Sequence, residues 1–281
     1  MGVDAVDAHR IGGGSTSAIF EVELADGDVV VAKALAAELP GATDAEVAGL
    51  RWLAEPAVAA VPAVRGHDDL WLVLDYVEPG HPTPDAAERL GRELAALHAS
   101  GAPAHGAPPT GGPVRAWIGR APMHNATTTG WPEFYAEHRV RPYLRRATAS
   151  GVLDQAEATV VARAADAIPE VAGPAEPPAR LHGDLWSGNV QYGRNGRAWL
   201  LDPAAHGGHR ETDLAMLALF GAPHLDRVLA AYHEVAPLPD GWAERVPLHQ
   251  LFPLLVHAVL FGRSYAGQAV RAARDVLALR R

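Results

Sequence analysis

The 281-residue sequence contains no cysteine. A disulfide framework, a thiolate zinc site and a thiol nucleophile are therefore excluded. Long apolar runs are also missing, because the best candidate, LFPLLVHAVLFG, is interrupted by Pro253 and His257 and is too short for a bilayer. The first residues show no basic stretch followed by an apolar core, so we expect no signal peptide and a cytoplasmic protein that does not enter a membrane.

Positive charge is scarce, since the formal net charge is −9. This balance argues against a general nucleic-acid binder, because phosphate backbones favour clustered positive charge. Lysine is scarcer still: Lys33 is the only one, and the other 23 of the 24 basic residues are arginines. It lies in VVVAKAL, an apolar run typical of a β-strand, where an unpaired ammonium is costly to bury.

The order of sequence patterns predicts an α+β protein with two lobes. Residues 1–77 contain five strand-like runs, with turns at a glycine-rich stretch and at Asp26-Gly27, and one amphipathic helix after the third run. Residues 78–281 read as mostly helical, with a small hairpin around Asn195-Gly196. We therefore predict a small five-stranded antiparallel β lobe with one helix, residues 1–77, followed by a larger and mainly helical lobe, residues 78–281.

The stretch LHGDLWSGNV carries Asp184 and, after four intervening residues, Asn189. The catalytic loop of protein kinases has the same spacing, with the Asp as base and the Asn on a magnesium ion. A carboxylate can accept or orient an attacking hydroxyl, and an amide oxygen can help to hold a hard cation. The alternative is ordinary turn chemistry, in which both side chains bond to nearby backbone.

Asp202 ends the apolar run AWLLD. In kinases a magnesium-binding Asp follows the catalytic loop at this point, although here Pro-Ala replaces Phe-Gly. A strand-ending Asp that caps a turn is the alternative, but Asp184, Asn189 and Asp202 in this order indicate an enzyme that uses ATP and Mg²⁺. Asp213, at a helix start, either braces the catalytic loop or is an acid favoured by the helix dipole.

Lys33 gains a role in this setting. In a kinase-like small lobe this lysine contacts the α- and β-phosphates and pairs with a helix glutamate, and Glu46 on the next helix is the candidate partner. Two alternatives are that Glu46 only closes a capping box with Thr43 and that Lys33 is a snorkelling edge-strand lysine. A compact point charge suits a phosphate, and arginine is not a neutral replacement there.

Two further nucleotide contacts are predicted from position. The backbone at Gly13 and Gly14 could approach the phosphates, although a plain hairpin turn explains IGGGSTS equally well. The stretch LVLDYVEPG would be the hinge between the lobes, where backbone groups from Asp75 to Val77 meet the adenine edge.

Several stretches resemble the fructosamine (ketosamine-3-) kinases, a family in the aminoglycoside-phosphotransferase branch of the protein-kinase-like fold. These stretches are LHGDLWSGN, LLDPAAHGGHRETDLAMLALFG, IGRAPMHN, WPEFYAEHRVRPYL and HAVLFGRSY. The resemblance runs from about Gly12 to about Tyr265, and HGDLWSGN is its most specific piece.

The resemblance implies transfer of the γ-phosphate of ATP to the 3-hydroxyl of a fructosamine or ribulosamine, either free or on a protein amine. The product is unstable and releases the amine, so the implied role is deglycation. Asp184 would be the base, Asn189 and Asp202 the metal ligands, and Lys33 with Glu46 the phosphate clamp.

The acceptor site is the least defined part of this resemblance. Trp186 would lie by the sugar, or else serve as a core anchor. His209, with His206 and Arg210, would line the acceptor site, or else be a surface polar residue.

The sequence departs from the family in two places. IGRAPMHN has Met-His where the family more often shows a glutamine-containing sequence. Several family members carry a cysteine in the glycine-rich loop that links two chains, whereas Ser15 lies near that place here. A disulfide-linked dimer is therefore excluded, and we expect a monomer.

Three other functions remain open. A kinase of the same chemistry could use an aminoglycoside or choline as acceptor, and the chain could be a catalytically inactive nucleotide-binding module. A metal hydrolase built on His182, Asp184, His206 and His209 is the third, although no HExxH spacing is present.

Overall fold

The computed structural model describes residues 3–12 and 17–280. Its first part is a five-stranded sheet whose strands are β1 (Ala5–Gly12), β2 (Ser17–Leu24), β3 (Val29–Leu35), β4 (Val64–His67) and β5 (Trp71–Asp75). The spatial order is β1-β2-β3-β5-β4, and every neighbouring pair is antiparallel. The predicted five-stranded antiparallel sheet is confirmed.

Helix α1 (Ala42–Ala54) follows β3, as predicted, but it begins differently. Its N-cap is Gly41, in the left-handed region at φ 73°, and no side chain caps the helix. Thr43 lies inside the first turn, and its hydroxyl donates to the carbonyl of Asp69 at 3.1 Å. The capping box of Thr43 and Glu46 is therefore wrong, because Thr43 already has helical backbone and faces the sheet. Glu46 is left for a more distant partner.

The second part is mainly helical, as predicted. Its helices are α2 (Pro84–Ala99), α3 (Trp131–Phe134), α4 (Arg141–Ala149), α5 (Gln155–Val171), α6 (Arg210–Leu219), α7 (Leu225–Val235), α8 (Trp242–Phe261) and α9 (Arg263–Ala278), with a π-helical turn at Tyr135–Val140 and a 3₁₀ turn at Ser187–Asn189. Three strand pairs complete it: β6 (Arg115–Ile118) with β7 (Ala121–His124), β8 (Ala179–Leu181) with β11 (His206–Gly208), and β9 (Val190–Tyr192) with β10 (Ala198–Leu200).

The β9–β10 hairpin is the one expected around Asn195-Gly196, and Gly196 has the positive φ of 74° that such a turn requires. The other two pairs were not expected, because strands of three or four residues leave almost no periodic signal. The main core forms where α4, α5, α8 and α9 pack on one another, with fully buried side chains such as Val161, Leu255 and Val276. Within residues 3–12 and 17–280, no helix has the length and apolar character needed to cross a membrane.

The first part docks on the β9–β10 hairpin through backbone contacts. The amide of Leu200 donates to the carbonyl of Ala60 at 2.9 Å, and Gly80, in the β5–α2 connection at the start of the second part, donates its amide to the carbonyl of Tyr192 at 2.7 Å. The loops that flank this hairpin, which carry Asn189 and Asp202, are thereby held under β3 and α1. The division between residues 77 and 78 falls in the β5–α2 connection and stays a prediction.

Candidate active site

A cleft of about 430 Å³ opens between the sheet, α1 and the loops around the β9–β10 hairpin. Its lining includes five residues singled out from the sequence as chemically important, namely Lys33, Glu46, Asp184, Asn189 and Asp202. They come from both parts of the chain, so the fold brings together groups that are far apart in sequence.

Lys33 lies on β3, which is flanked by β2 and β5 and is therefore not an edge strand. Its side chain is almost fully buried, with the residue 6% exposed, and Nζ lies 2.9 Å from both carboxylate oxygens of Glu46. Nζ also lies 3.0 Å from Oδ1 of Asp202. Burial alone would lower the pKa of Lys33, but the two carboxylates outweigh it and raise the pKa. The buried lysine is thus an ammonium held between α1 and the second part of the chain.

Asp184 follows a sharp turn of the backbone at Gly183. Gly183 has φ +82°, and a Cβ there would clash with the carbonyl oxygen of Ala204, so this position needs glycine. Asp184 is half-buried. Burial raises the pKa of its carboxyl group to about 7; the charge of Asp202 adds to the rise, and the Asn189 amide opposes it. A carboxylate in this state can accept a proton near neutral pH.

Asn189 and Asp202 offer oxygen atoms to the cleft. The Nδ2 of Asn189 donates to the backbone carbonyl of Asp184 at 2.8 Å and to its carboxylate at 3.1 Å, which leaves Oδ1 of Asn189 as the atom for a cation. Asp202 adopts φ +51°, a backbone conformation that costs about 1–3 kcal/mol and clusters at functional sites. An amide oxygen and a carboxylate are hard ligands of the kind that Mg²⁺ prefers, so the donor set fits this ion.

Asp213 braces the loop that carries Asp184. It is fully buried, at 0% exposure, and its oxygens accept from the amides of His182 at 2.7 Å and Gly183 at 2.9 Å. The Nε2 atom of His98 lies 3.2 Å from the same carboxylate. Of the two interpretations of Asp213, the bracing role therefore describes the structure.

Two residues of this brace, His98 and His182, were not assigned a bracing role from the sequence. His98, on α2, links Asp213 to the hydroxyl of Tyr232, 2.8 Å from its Nδ1. His182 donates from Nε2 to the carbonyl of Leu201 at 2.8 Å. Burial lowers the pKa of His182, so its ring is neutral and supports the loop through this hydrogen bond. The available signal was His98 on the apolar face of its helix, where a polar residue needs a buried partner.

Trp186 and His209 were both expected at the acceptor side. Trp186 lines the cleft and is 37% exposed, with its ring edge-on to Phe220 at 5.9 Å between centroids, so it is not a core anchor. His209 does not line the cleft. It is 3% exposed, its Nδ1 accepts from the amide of Glu211 at the start of α6, and its ring packs on Trp131 at 4.9 Å. The placement of His209 at the acceptor site is therefore wrong.

Within residues 3–12 and 17–280, His182, Asp184, His206 and His209 are not brought together as a group of metal ligands. Among the described residues, the group with metal-ligand geometry is His209, Glu211 and His249, whose candidate ligand atoms lie within 4.8 Å of one another. Arg245 already binds this Glu211 with two hydrogen bonds, at 2.6 and 3.0 Å. The guanidinium neutralises the carboxylate and opposes a cation, so this cluster is a buried ion pair that joins α6 to α8.

The expected hinge and glycine-rich contacts have different outcomes. The amide of Asp75 donates to the carbonyl of Ala63 at 3.0 Å, and the carbonyl of Val77 accepts from Nε2 of Gln191 at 2.6 Å. Both groups are thus engaged within the protein, and a role for Asp75 and Val77 in holding adenine stays a prediction. Gly13 and Gly14 lie outside the described residues.

Comparison with known proteins gives one consistent family. A family model described as "Fructosamine kinase" matches residues 2–279. A probable ketoamine kinase of Thermus thermophilus is 38% identical over 83% of this chain and 82% of its own length. A chloroplastic protein-ribulosamine 3-kinase of Arabidopsis thaliana is 32% identical over 85% of this chain and 73% of its own length.

Solved structures agree with this result. The crystal structure of a candidate fructosamine-3-kinase from Thermobifida fusca superposes with a TM-score of 0.92 at 48% identity, covering 99% of this chain and 95% of that one. An aminoglycoside phosphotransferase in complex with ADP and hygromycin B gives a TM-score of 0.61 at 19% identity, covering 97% of this chain and 95% of that one. The second likeness concerns the fold alone, and it places the chain in the kinase-like fold.

Proposed function

Because this chain belongs to the fructosamine kinase family, we propose that it transfers the γ-phosphate of ATP to the 3-hydroxyl of a ketosamine. The family is one of phosphotransferases that act on an alcohol group. The substrate would be a fructosamine or a ribulosamine, free or on a protein amine, and loss of the unstable 3-phosphate would release the amine. The observation that carries the proposal is the meeting of Lys33, Asp184, Asn189 and Asp202 in one cleft.

Each of these residues has a proposed task. Asp184 accepts the hydrogen bond of the sugar hydroxyl and aligns it for in-line attack. Lys33, fixed by Glu46, holds the phosphates of ATP. The Oδ1 of Asn189 and the carboxylate of Asp202 would hold Mg²⁺, which when bound neutralises phosphate charge. Catalysis would then consist mainly of positioning and electrostatic stabilisation.

The lining of the cleft favours a ketosamine over an aminoglycoside. Among the described residues, its carboxylates are Glu46, Asp184 and Asp202, and all three already have a task in the transfer. An aminoglycoside is a polycation and would be favoured by further acidic groups. The remaining wall includes Trp117, Trp186 and other apolar side chains, which suit the C–H face of a single sugar.

The proposal is tested by ADP release from ATP and Mg²⁺ with four acceptors: a fructosamine, a ribulosamine, an aminoglycoside and choline. Asp184→Asn serves as the blank. We expect turnover with a ketosamine that disappears in the blank, while ATP binding persists. Turnover with the aminoglycoside or choline alone would overturn the ketosamine assignment and keep the catalytic roles. ATP binding without turnover on any acceptor would favour an inactive nucleotide-binding module. A cytoplasmic location and a monomeric state stay predictions.

A further inference from the structure

Asn125 is a buried amide at the wall of the cleft. It follows β7 directly, is 1% exposed and lines the cleft that contains Asp184. Its backbone amide donates to the carbonyl of Val114 at 2.8 Å, which fixes the main chain. Its Nδ2 atom has no hydrogen-bond partner among the described residues. Buried side-chain donors are normally paired, so this one needs an explanation.

Arg139 fixes which end of the amide is free. Its Nη2 donates to Oδ1 of Asn125 at 2.6 Å, and a guanidinium can only donate. The atom facing Arg139 must therefore be the oxygen, and the NH₂ group must point the other way. The orientation of the amide, often ambiguous in protein structures, is here determined by chemistry.

Arg139 is itself held rigidly. It lies on the π-helical turn, a backbone feature frequent at functional sites, and Nη1 donates to the carbonyl of His124 at 2.9 Å. Its guanidinium lies 4.5 Å from the ring centroid of Phe134 and 5.5 Å from that of Phe252. No salt bridge to a carboxylate is formed by Arg139 within the part of the chain that the structure describes. Its charge is therefore available to polarise the Asn125 amide and strengthen it as a donor.

The wall that carries Asn125 belongs to the acceptor side of the cleft. A Cβ at Gly119, in the turn between β6 and β7, would lie 3.2 Å from Cδ1 of Leu260. Leu260 and Phe261 end α8 and line the cleft together with Trp186. Lys33 and Glu46, which hold the phosphates in the proposed function, come instead from β3 and α1. Asn125 thus lies in the wall beside Trp186, on the side where the sugar would bind.

We propose that Asn125 binds the acceptor, with Nδ2 donating to a ketone or hydroxyl oxygen of the sugar beside the reacting hydroxyl. This inference rests on the proposed function. A site with a buried donor in this position also selects against sugars that lack the matching oxygen, because the donor is then left unpaired. Asn125 would therefore contribute to specificity as well as to binding.

The test is Asn125→Asp. The new carboxylate still accepts from Arg139 and gains an ion pair with it, so the melting temperature should not fall. The donor is replaced by an acceptor that faces the sugar oxygen. We expect the KM for the ketosamine to rise at least tenfold, while the KM for ATP changes by less than about twofold. Asn195→Asp, the same change in an exposed turn, is the matched control and should behave as the native chain.

Asn125→Ser is the second variant, because its shorter side chain removes the amide donor without placing a negative charge beside Arg139. We again expect a higher KM for the ketosamine and a nearly unchanged KM for ATP. An unchanged KM for the ketosamine in both variants would overturn the inference and leave the proposed function intact. A parallel rise in both KM values would also overturn it, because the effect would then be on the shape of the cleft. No ketosamine turnover by the native chain would remove the proposed function and this inference together.

Discussion

Replacing Asp213 by Asn tests whether a residue outside the cleft positions the catalytic base. The carboxylate accepts from the amides of His182 and Gly183 and lies against His98, with no exposure to solvent. An asparagine keeps one oxygen but turns an NH₂ group toward a backbone N–H. One hydrogen bond is then lost and two donors face each other in the interior.

The expected losses of stability and of rate follow from these contacts. Leaving a buried donor unpaired after the loss of a charged acceptor costs about 3 kcal/mol, and for a chain of this size each kcal/mol lowers the melting temperature by about 2–4 °C. We therefore expect a fall of roughly 10 °C. His182 and Gly183 immediately precede Asp184, and a displacement of a catalytic group by about 1 Å can cost 100-fold in rate. We expect kcat to fall about 100-fold at a temperature where the variant is still folded.

The matched control is Asp226→Asn. Asp226 also lies in the first turn of a helix, α7, but it is exposed. Thermal melting and ADP release from ATP and a ketosamine would be measured for both variants. If Asp213→Asn behaved like Asp226→Asn in both measurements, Asp213 would be only an acid favoured by the helix dipole, and the bracing role would be refuted.

Four further outcomes follow from the same geometry. Because burial raises the pKa of Asp184 to about 7, the carboxyl keeps its proton below that pH and kcat/KM should fall as the pH drops from 7 to 5; a flat profile would contradict its role as base. Lys33→Arg should raise the KM for ATP at least tenfold, because a planar guanidinium does not fit the place between Glu46 and Asp202; ADP-release kinetics with an unchanged KM would refute this. Chelation with EDTA should abolish turnover and added Mg²⁺ should restore it, whereas full activity in EDTA would exclude the assigned ligand pair. Arg245→Met should lower stability by about 3–5 kcal/mol by leaving Glu211 buried without its partner; denaturant unfolding with no change would mean that the pair contributes nothing.

The loop that carries Asp184 and Asn189 was predictable because its information is local. The spacing of Asp184 and Asn189, the apolar run before Asp202 and the unusual lysine in VVVAKAL can all be read within a few residues. The five strands were predictable for the same reason, since each carries its own run of apolar or β-branched residues.

The rest depended on contacts between distant parts of the chain. Thr43 and Glu46 satisfied the spacing of a capping box, and only the ammonium of Lys33, 2.9 Å from the carboxylate, shows that Glu46 has another partner. His209 sits in a polar stretch that reads as surface, but Trp131 covers it from 78 positions earlier in the chain. The free donor of Asn125 could not be inferred without the guanidinium of Arg139 beside it.

The burial of Lys33 has a chemical consequence for the protein as a target of sugars. A sugar aldehyde condenses with a neutral, accessible amine, and Lys33 is neither, since it is 6% exposed and its neighbouring carboxylates keep it protonated. Every other basic side chain of the Lys and Arg class is an arginine. The chain therefore presents no lysine side chain on which a ketosamine could form. A protein with this sequence therefore has no lysine side chain that is open to glycation.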